Sequence, residues 1–334
     1  MSRRSIWLTR VVAGVIALTM GANGHAATKD KFIALGTSSK SGVYYPVGSG
    51  ICDLVNEGRD RHLVRCLAYP TGGSIYNIQA LRSGELDVAI TRADLAYQAA
   101  NGEGIFEPLG PMPDLRIVAS LYENPVGVIV KKDSAIGSVD DLPGHRINIG
   151  NLGSGKRDFS DLLFKVMEWG PSDFTGVSEL STSKMGKGFC NGDIDILIQA
   201  MGIPASFYDK MIKECDGRFV GFSADLINRL KAEAPFIESN LIPGGMYISN
   251  MDDVPTVGAK AVLVTTNRLD NETVDDLTSA LMGGLDRLKA EQAAMSAVTL
   301  ETMLNKGIYV PFHPGVIKYF QSNQMSYKNT KEKE

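Results

Sequence analysis

The sequence predicts an α/β protein of two lobes with mostly parallel sheets and a cleft between them. Two internal echoes carry this reading. Residues 83–91 read Ser-Gly-Glu-Leu-Asp-Val-Ala-Ile-Thr, and residues 191–199 read Asn-Gly-Asp-Ile-Asp-Ile-Leu-Ile-Gln. Each is a glycine ending a helix, an acidic step and a short apolar strand. Ahead of each lies a second echo. An apolar run at 32–35 enters the loop Gly36-Thr37-Ser38-Ser39-Lys40-Ser41-Gly42, and one at 147–149 enters Gly150-Asn151-Leu152-Gly153-Ser154-Gly155-Lys156. Either echo alone is ordinary turn composition. Their shared order points to one unit built twice, and the space between two such units is where small molecules bind.

The elements follow in order. Arg3, Arg4 and Arg10, an apolar run at 11–20 and the exit Gly24-His25-Ala26 read as a secretory signal peptide over 1–27, with an apolar core too short to span a bilayer. The first lobe is expected over 28–132 and again over 247–327, the second over 133–246, and a charged tail over 328–334. In the first lobe, Val43, Val47, Ile51, Leu54 and Val55 share one helix face, and a strand follows at 63–68. A helix with Ile75, Ile78 and Leu81 inward stops at Gly84, and another runs from Asp94 to Asn101-Gly102. Strands are expected at 116–121 and 126–130. The second lobe opens a helix with Phe159, Leu162, Leu163, Val166 and Met167 on one face, stopped by Gly170-Pro171, and carries strands at 176–180, 194–198 and 218–222. A strand at 259–265 returns to the first lobe and leads into one long helix through Val274, Leu277, Leu281 and Leu288.

Charge narrows the partners. The formal charge is −4, and removing the three leader arginines makes it −7, which argues against nucleic acid or an anionic membrane surface. No later run reaches about 18 apolar residues, so no direct membrane insertion is expected. The four cysteines, Cys52, Cys66, Cys190 and Cys215, allow three pairings, but one pair falls in each lobe. Two local bridges, Cys52–Cys66 and Cys190–Cys215, are therefore expected, in keeping with export. No Cys-x-x-Cys spacing is present for a metal.

Four segments share one geometry: 38–44, 71–77, 91–94 and 153–156 each sit where a strand ends and a helix begins. Backbone N–H groups and a partial positive charge point outward there, a setting for an anion and above all a carboxylate. Ser38, Ser39, Ser41, Thr71, Ser74, Asn77, Thr91 and Ser154 offer short hydrogen bonds. Gly42, Gly73, Gly153 and Gly155 let a ligand approach the backbone. Tyr44 adds a packing face. Arg92, followed by Ala93, and Lys156 are cations at the tips, able to pair with a carboxylate. Asp94 is expected to cap its helix or orient Arg92. The tip at 201–204, including Met201 and Gly202, corresponds in the second lobe to 92–95 and is expected to line the cleft.

Catalytic patterns are thin. His62, His145 and His313 have no metal-ligand spacing, and no Gly-x-Ser-x-Gly elbow is present. Ser181-Thr182-Ser183-Lys184 fits Ser-x-x-Lys without its companion motifs, so a helix N-cap at Ser181 or Ser183 is the better account. Residues 150–156 match the start of a P-loop, but Arg157 stands where Ser or Thr would hold Mg²⁺. Neither an enzyme nor a cofactor is expected.

At these residues the chain resembles the TAXI family, the extracytoplasmic solute-binding proteins of TRAP transporters. The matching stretches are 36–46 (GTSSKSGVYYP), 71–77 (TGGSIYN), 81–98 (LRSGELDVAITRADLAYQ), 150–156, 242–247 (IPGGMY), 253–258 (DVPTVG) and His313-Pro314-Gly315. The two cysteine pairs also resemble those of proteobacterial members. The resemblance implies a type II periplasmic-binding-protein fold that closes on its ligand by hinge motion. It also implies a periplasmic place, TRAP transporter membrane subunits as partners, and ion-gradient-driven uptake of a small carboxylate, such as a dicarboxylate, 2-oxoglutarate or a glutamate-like acid. The family commonly has Gln-Ser-Asp at Arg92-Ala93-Asp94 and Gly-Ser-Gly-Thr at Gly153-Ser154-Gly155-Lys156. Two neutral positions have become cations, so a ligand with more negative charge is expected. The rivals are an enzyme on the same two-lobe fold and a ligand sensor for a membrane receptor.

Overall fold

In the computed structural model, which describes residues 31–330, ten strands follow in chain order: β1 (Lys31–Gly36), β2 (Val64–Tyr69), β3 (Val88–Arg92), β4 (Leu115–Lys131), β5 (Arg146–Asn148), β6 (Gly176–Ser178), β7 (Ile196–Ala200), β8 (Gly217–Val220), β9 (Glu238–Ile242) and β10 (Val254–Thr266). The leader expected at 1–27 lies outside the described residues, as do 331–334 of the expected tail. The strand order is β2-β1-β3-β10-β4-β7-β5-β6, with β8 beside β4 and β9 beside β10. The wings are parallel, β2-β1-β3 in one lobe and β7-β5-β6 in the other. β4 and β10 run antiparallel to each other and to their other neighbours. The sheet is mixed because these two strands are the outward and return crossings of one chain.

The crossings are continuous strands. The runs expected separately at 116–121 and 126–130 form the single strand β4, because Glu123, Asn124 and Pro125 keep extended backbone and pair with β10. Up to Pro125, β4 pairs with β10; from Val126 it pairs with β7 and β8. β10 makes the reverse passage, pairing with β9 through Gly258 and with β3 from Ala261. The cores change hands at the same points: Tyr122 and Ala261 pack in the first, whereas Val126, Tyr247, Val254 and Val257 pack in the second. The expected lobe boundaries at 132/133 and 246/247 therefore lie on the second-lobe side of the outward crossing and ahead of the return crossing.

Period-two alternation builds the second lobe. Val126, Val128 and Val130 of β4 with Ile196 and Ile198 of β7 face one helical layer with Phe159 and Leu163. Ile129 and Leu197 face the other, with Met185, Phe189 and Tyr208. In the first lobe Ile33, Leu35, Ile90 and Leu263 form a core under the helices Tyr44–Glu57 and Ser74–Ser83. Gly84 and Gly102 end their helices in the left-handed conformation, as expected. The helix Gly155–Met167 instead ends on Glu168, itself left-handed, ahead of Gly170-Pro171. The expected long helix divides into Asn271–Gly283 and Leu285–Glu291. Gly284 has left helical geometry there, and Leu54 presses into the space a side chain would need. Disulfides join Cys52 to Cys66 and Cys190 to Cys215. Among the described residues no helix is long and apolar enough to cross a membrane, and no group of His, Cys, Asp and Glu is placed to hold a metal.

Candidate functional site

Five helices begin around one space between the lobes. Tyr44–Glu57, Ser74–Ser83 and Ala93–Asn101 point their N-termini into it from the first lobe, and Gly155–Met167 and Thr182–Asn191 from the second. The space is a cavity of about 100 Å³. Where one water takes about 10–15 Å³, that is room for a small solute and none for a polymer.

The structure brings together on this wall Ser38, Ser39, Gly42, Tyr44, Thr71, Gly73, Ser74 and Arg92 from the first lobe, with Ser154, Gly155 and Lys156 from the second. The Tyr44 hydroxyl lies 3.3 Å from Ser74 Oγ, and burial pushes it up to about 12. Ser154 caps its helix by accepting from the Arg157 N–H at 3.3 Å.

Other expected residues stand behind or beside the wall. Asn77 is fully buried, donating to the carbonyls of Thr37 and Ile90 and accepting from Thr71, so it ties three chain segments together. Thr91 donates to the Ser74 carbonyl, and Ala93 packs into the first core. Ser41 is exposed beside Ser39. Gly153 turns its carbonyl to the Tyr76 N–H at 3.1 Å, a backbone bond from lobe to lobe. Gly202 presses on Tyr122 and Ala294, where a Cβ would lie 2.5 Å from the Tyr122 ring, so the tip packs on the first lobe while Met201 alone of 201–204 faces the cavity.

The two cations differ. Arg92 is 4% exposed and committed to protein acceptors. Its Nε donates to Asp94 Oδ1 at 3.0 Å and one terminal nitrogen to Asp158 Oδ2 at 2.9 Å; further bonds reach Asp94 Oδ2 and the Gly155 carbonyl. Asp94 thus orients Arg92, and Asp158 and Gly155 bring the second lobe to it. Burial raises the Asp158 carboxyl against the pull of Arg92. Lys156 is 6% exposed, and among the described residues its side chain donates only to Thr182 Oγ1, at 2.9 Å. Burial lowers its amine to about 8. Its stem lies on Gly150, whose φ of +92° and missing side chain make room; a Cβ there would sit 2.6 Å from Lys156 Cγ.

Sequence reasoning missed Thr182, Gln199 and Asn124 as wall residues. Thr182 opens a helix, as the four chosen segments do, and Gln199 is the counterpart of Thr91 in the second echo. Both signals were present. Asn124 lies inside β4, where no loop marks it. Ser181 takes the N-cap position expected of it or Ser183, but its side chain makes no capping bond.

The two-lobe architecture recurs in solved structures. A protein from Bordetella bronchiseptica RB50 aligns at TM-score 0.52 and 14% identity over 88% of this chain and 98% of that one. The periplasmic aliphatic sulphonate binding protein SsuA from Escherichia coli aligns at 0.43 and 13%, covering 87% and 78%. PhnD1 from Prochlorococcus marinus (MIT 9301), in complex with methylphosphonate, aligns at 0.49 and 11%, covering 91% and 95%. At such identities the likeness is one of fold. The model of the NMT1-like family matches residues 35–323, from β1 through the last helix, and with its two-lobe solute-binding-protein fold this chain belongs to that family.

Proposed function

We propose that the protein captures a small carboxylate between its lobes and hands it to the membrane subunits of a transporter. It is a binding protein and not an enzyme. One observation carries the reading: five helix N-termini and the buried Lys156 amine face a single small cavity between the lobes. Helix dipoles, free backbone N–H groups and an ammonium without a carboxylate partner all favour an anion. The stretches resembling the TAXI family support an ion-gradient-driven TRAP system as the receiving partner, and the leader read at 1–27 supports a periplasmic place.

The test is a thermal-shift screen of small organic acids followed by calorimetry. A ligand that binds only the folded form raises the melting temperature by linkage. Carboxylates of a few carbons are expected to raise it, without being consumed. A screen in which only neutral or cationic solutes do so, or in which the acid is converted, contradicts the reading.

A further inference from the structure

The charges inside the cavity narrow the ligand class, an inference that rests on small-acid capture. Arg92 has no charge to spare. Its guanidinium serves two carboxylates, Asp94 and Asp158, and the Gly155 carbonyl. Among the described residues no Asp or Glu lines the cavity. Among the described residues the one cation on the wall without an acidic partner is Lys156, whose ammonium has three donors and one acceptor, Thr182 Oγ1. A buried charge left unpaired is costly, so an arriving anion is held strongly by it. That accounts for one negative charge. A second carboxylate would meet helix N-termini but no free cation among the described residues, and an ammonium would meet no acid. Asn124 adds a neutral contact: it is 2% exposed, it lines the cavity, and its Oδ1 has no hydrogen-bond partner among the described residues.

We propose that the ligand is a small, singly charged acid without an amino group, its carboxylate on Lys156 Nζ and a neutral hydroxyl donating to Asn124 Oδ1. This replaces the expectation of extra negative charge, since only one of the two added cations is open to a ligand. A proton follows the ligand. The free amine sits at about 8, and pairing with an anion favours its charged form, so binding near pH 9 takes up a proton. The other titratable groups on the wall keep their protons there: Tyr44 is pushed up to about 12, and Arg92 is raised further by its two acids. The helix Thr182–Asn191 and β7 present only the neutral Thr182 and Gln199, Ala200 beside the tip, and Asp158 on the Lys156 helix is turned to Arg92.

The experiment is calorimetry with matched four-carbon and six-carbon sets: an oxo acid, a hydroxy acid, an amino acid and a dicarboxylate of each length. The hydroxy acid is expected to bind tighter than the oxo acid, which has no hydrogen to donate to Asn124 Oδ1, and at least about ten-fold tighter than the amino acid and dicarboxylate of equal length. Lys156→Gln is expected to weaken it by about ten-fold or more with the melting transition retained. In the unsubstituted protein at pH 9, the binding heat is expected to vary with the buffer's ionisation enthalpy, reporting proton uptake. That measurement needs no variant and decides the matter if Lys156→Gln does not fold. A dicarboxylate or amino acid binding as tightly, an unaffected Lys156→Gln, or no proton uptake overturns this assignment and leaves small-acid capture standing. Absence of binding by every acid overturns both.

Discussion

A lysine buried without an acid partner is a stability cost kept for binding. Burial holds its folded amine at about 8, below the 10.5 of the unfolded chain. Between those two values the unfolded chain holds more protons, so the lysine's contribution to stability improves as pH rises through that window and is worst below it. The shift is worth about 3 kcal/mol. Lys156→Met is therefore expected to raise the stability of the ligand-free protein at pH 7 by up to about 3 kcal/mol, with the gain shrinking towards pH 10.5, while acid binding is lost. Denaturant titrations across that range check it. Arg92 is the converse. Arg92→Gln leaves Asp94 and Asp158 buried without their partner, and a loss of about 3–5 kcal/mol is expected in the same titrations. From the sequence these two cations read alike, both at the tips where a strand gives way to a helix. What separates them is Asp158, distant from Arg92 in the chain and brought to it only when the lobes meet. Asn77 and Thr91 misled for a related reason: a polar residue at a strand tip holds the tip together as readily as it holds a ligand.

At the scale of elements, the loop ahead of Lys156 does more than supply N–H groups. Gly150 gives the lysine stem its bed, so Gly150→Ala strains a backbone at φ +92° and drives a methyl group into that stem. We expect a folded protein with acid affinity lowered by about ten-fold or more, measured by calorimetry beside circular dichroism. The two disulfides brace the lobes separately, Cys52 tying the helix Tyr44–Glu57 to β2, and Cys190 tying the helix Thr182–Asn191 to the turn before β8. Loops of 14 and 25 residues make each worth roughly 3 kcal/mol in the chain-entropy account. Replacing either pair with serine is expected to lower unfolding stability by about that amount, read by denaturant titration. Helices and parallel wings were legible because their apolar spacing and glycine stops are local. The two crossings were legible too, but the continuity of β4 through the outward one was not, because a break in apolar character at Glu123, Asn124 and Pro125 looks the same in a loop as in a strand paired on β10.

At the scale of the molecule, the lobes are joined through β4 and β10 and also across the cleft, where Arg92 meets Asp158 and the Gly155 carbonyl, Tyr76 meets Gly153, and Gly202 packs on Tyr122 and Ala294. The echoed halves made the two lobes legible; the ties across the cleft come from the strand tip at Arg92 and the helix starts around Tyr76 and Asp158, where the halves differ. Asp158→Asn removes the charged tie while leaving Arg92 paired with Asp94. The ligand-free variant is expected to show a larger radius of gyration by small-angle X-ray scattering, and acid affinity lowered by the fraction of molecules that must first close. The central claim is that a carboxylate sits between the lobes on Lys156. Its most direct measurement is a crystal structure of the protein saturated with a small hydroxy acid. The account predicts carboxylate density within hydrogen-bonding distance of Lys156 Nζ, among the helix starts at Ser74, Ser154 and Thr182. An acid bound elsewhere, or a cavity holding only water at saturation, would contradict it.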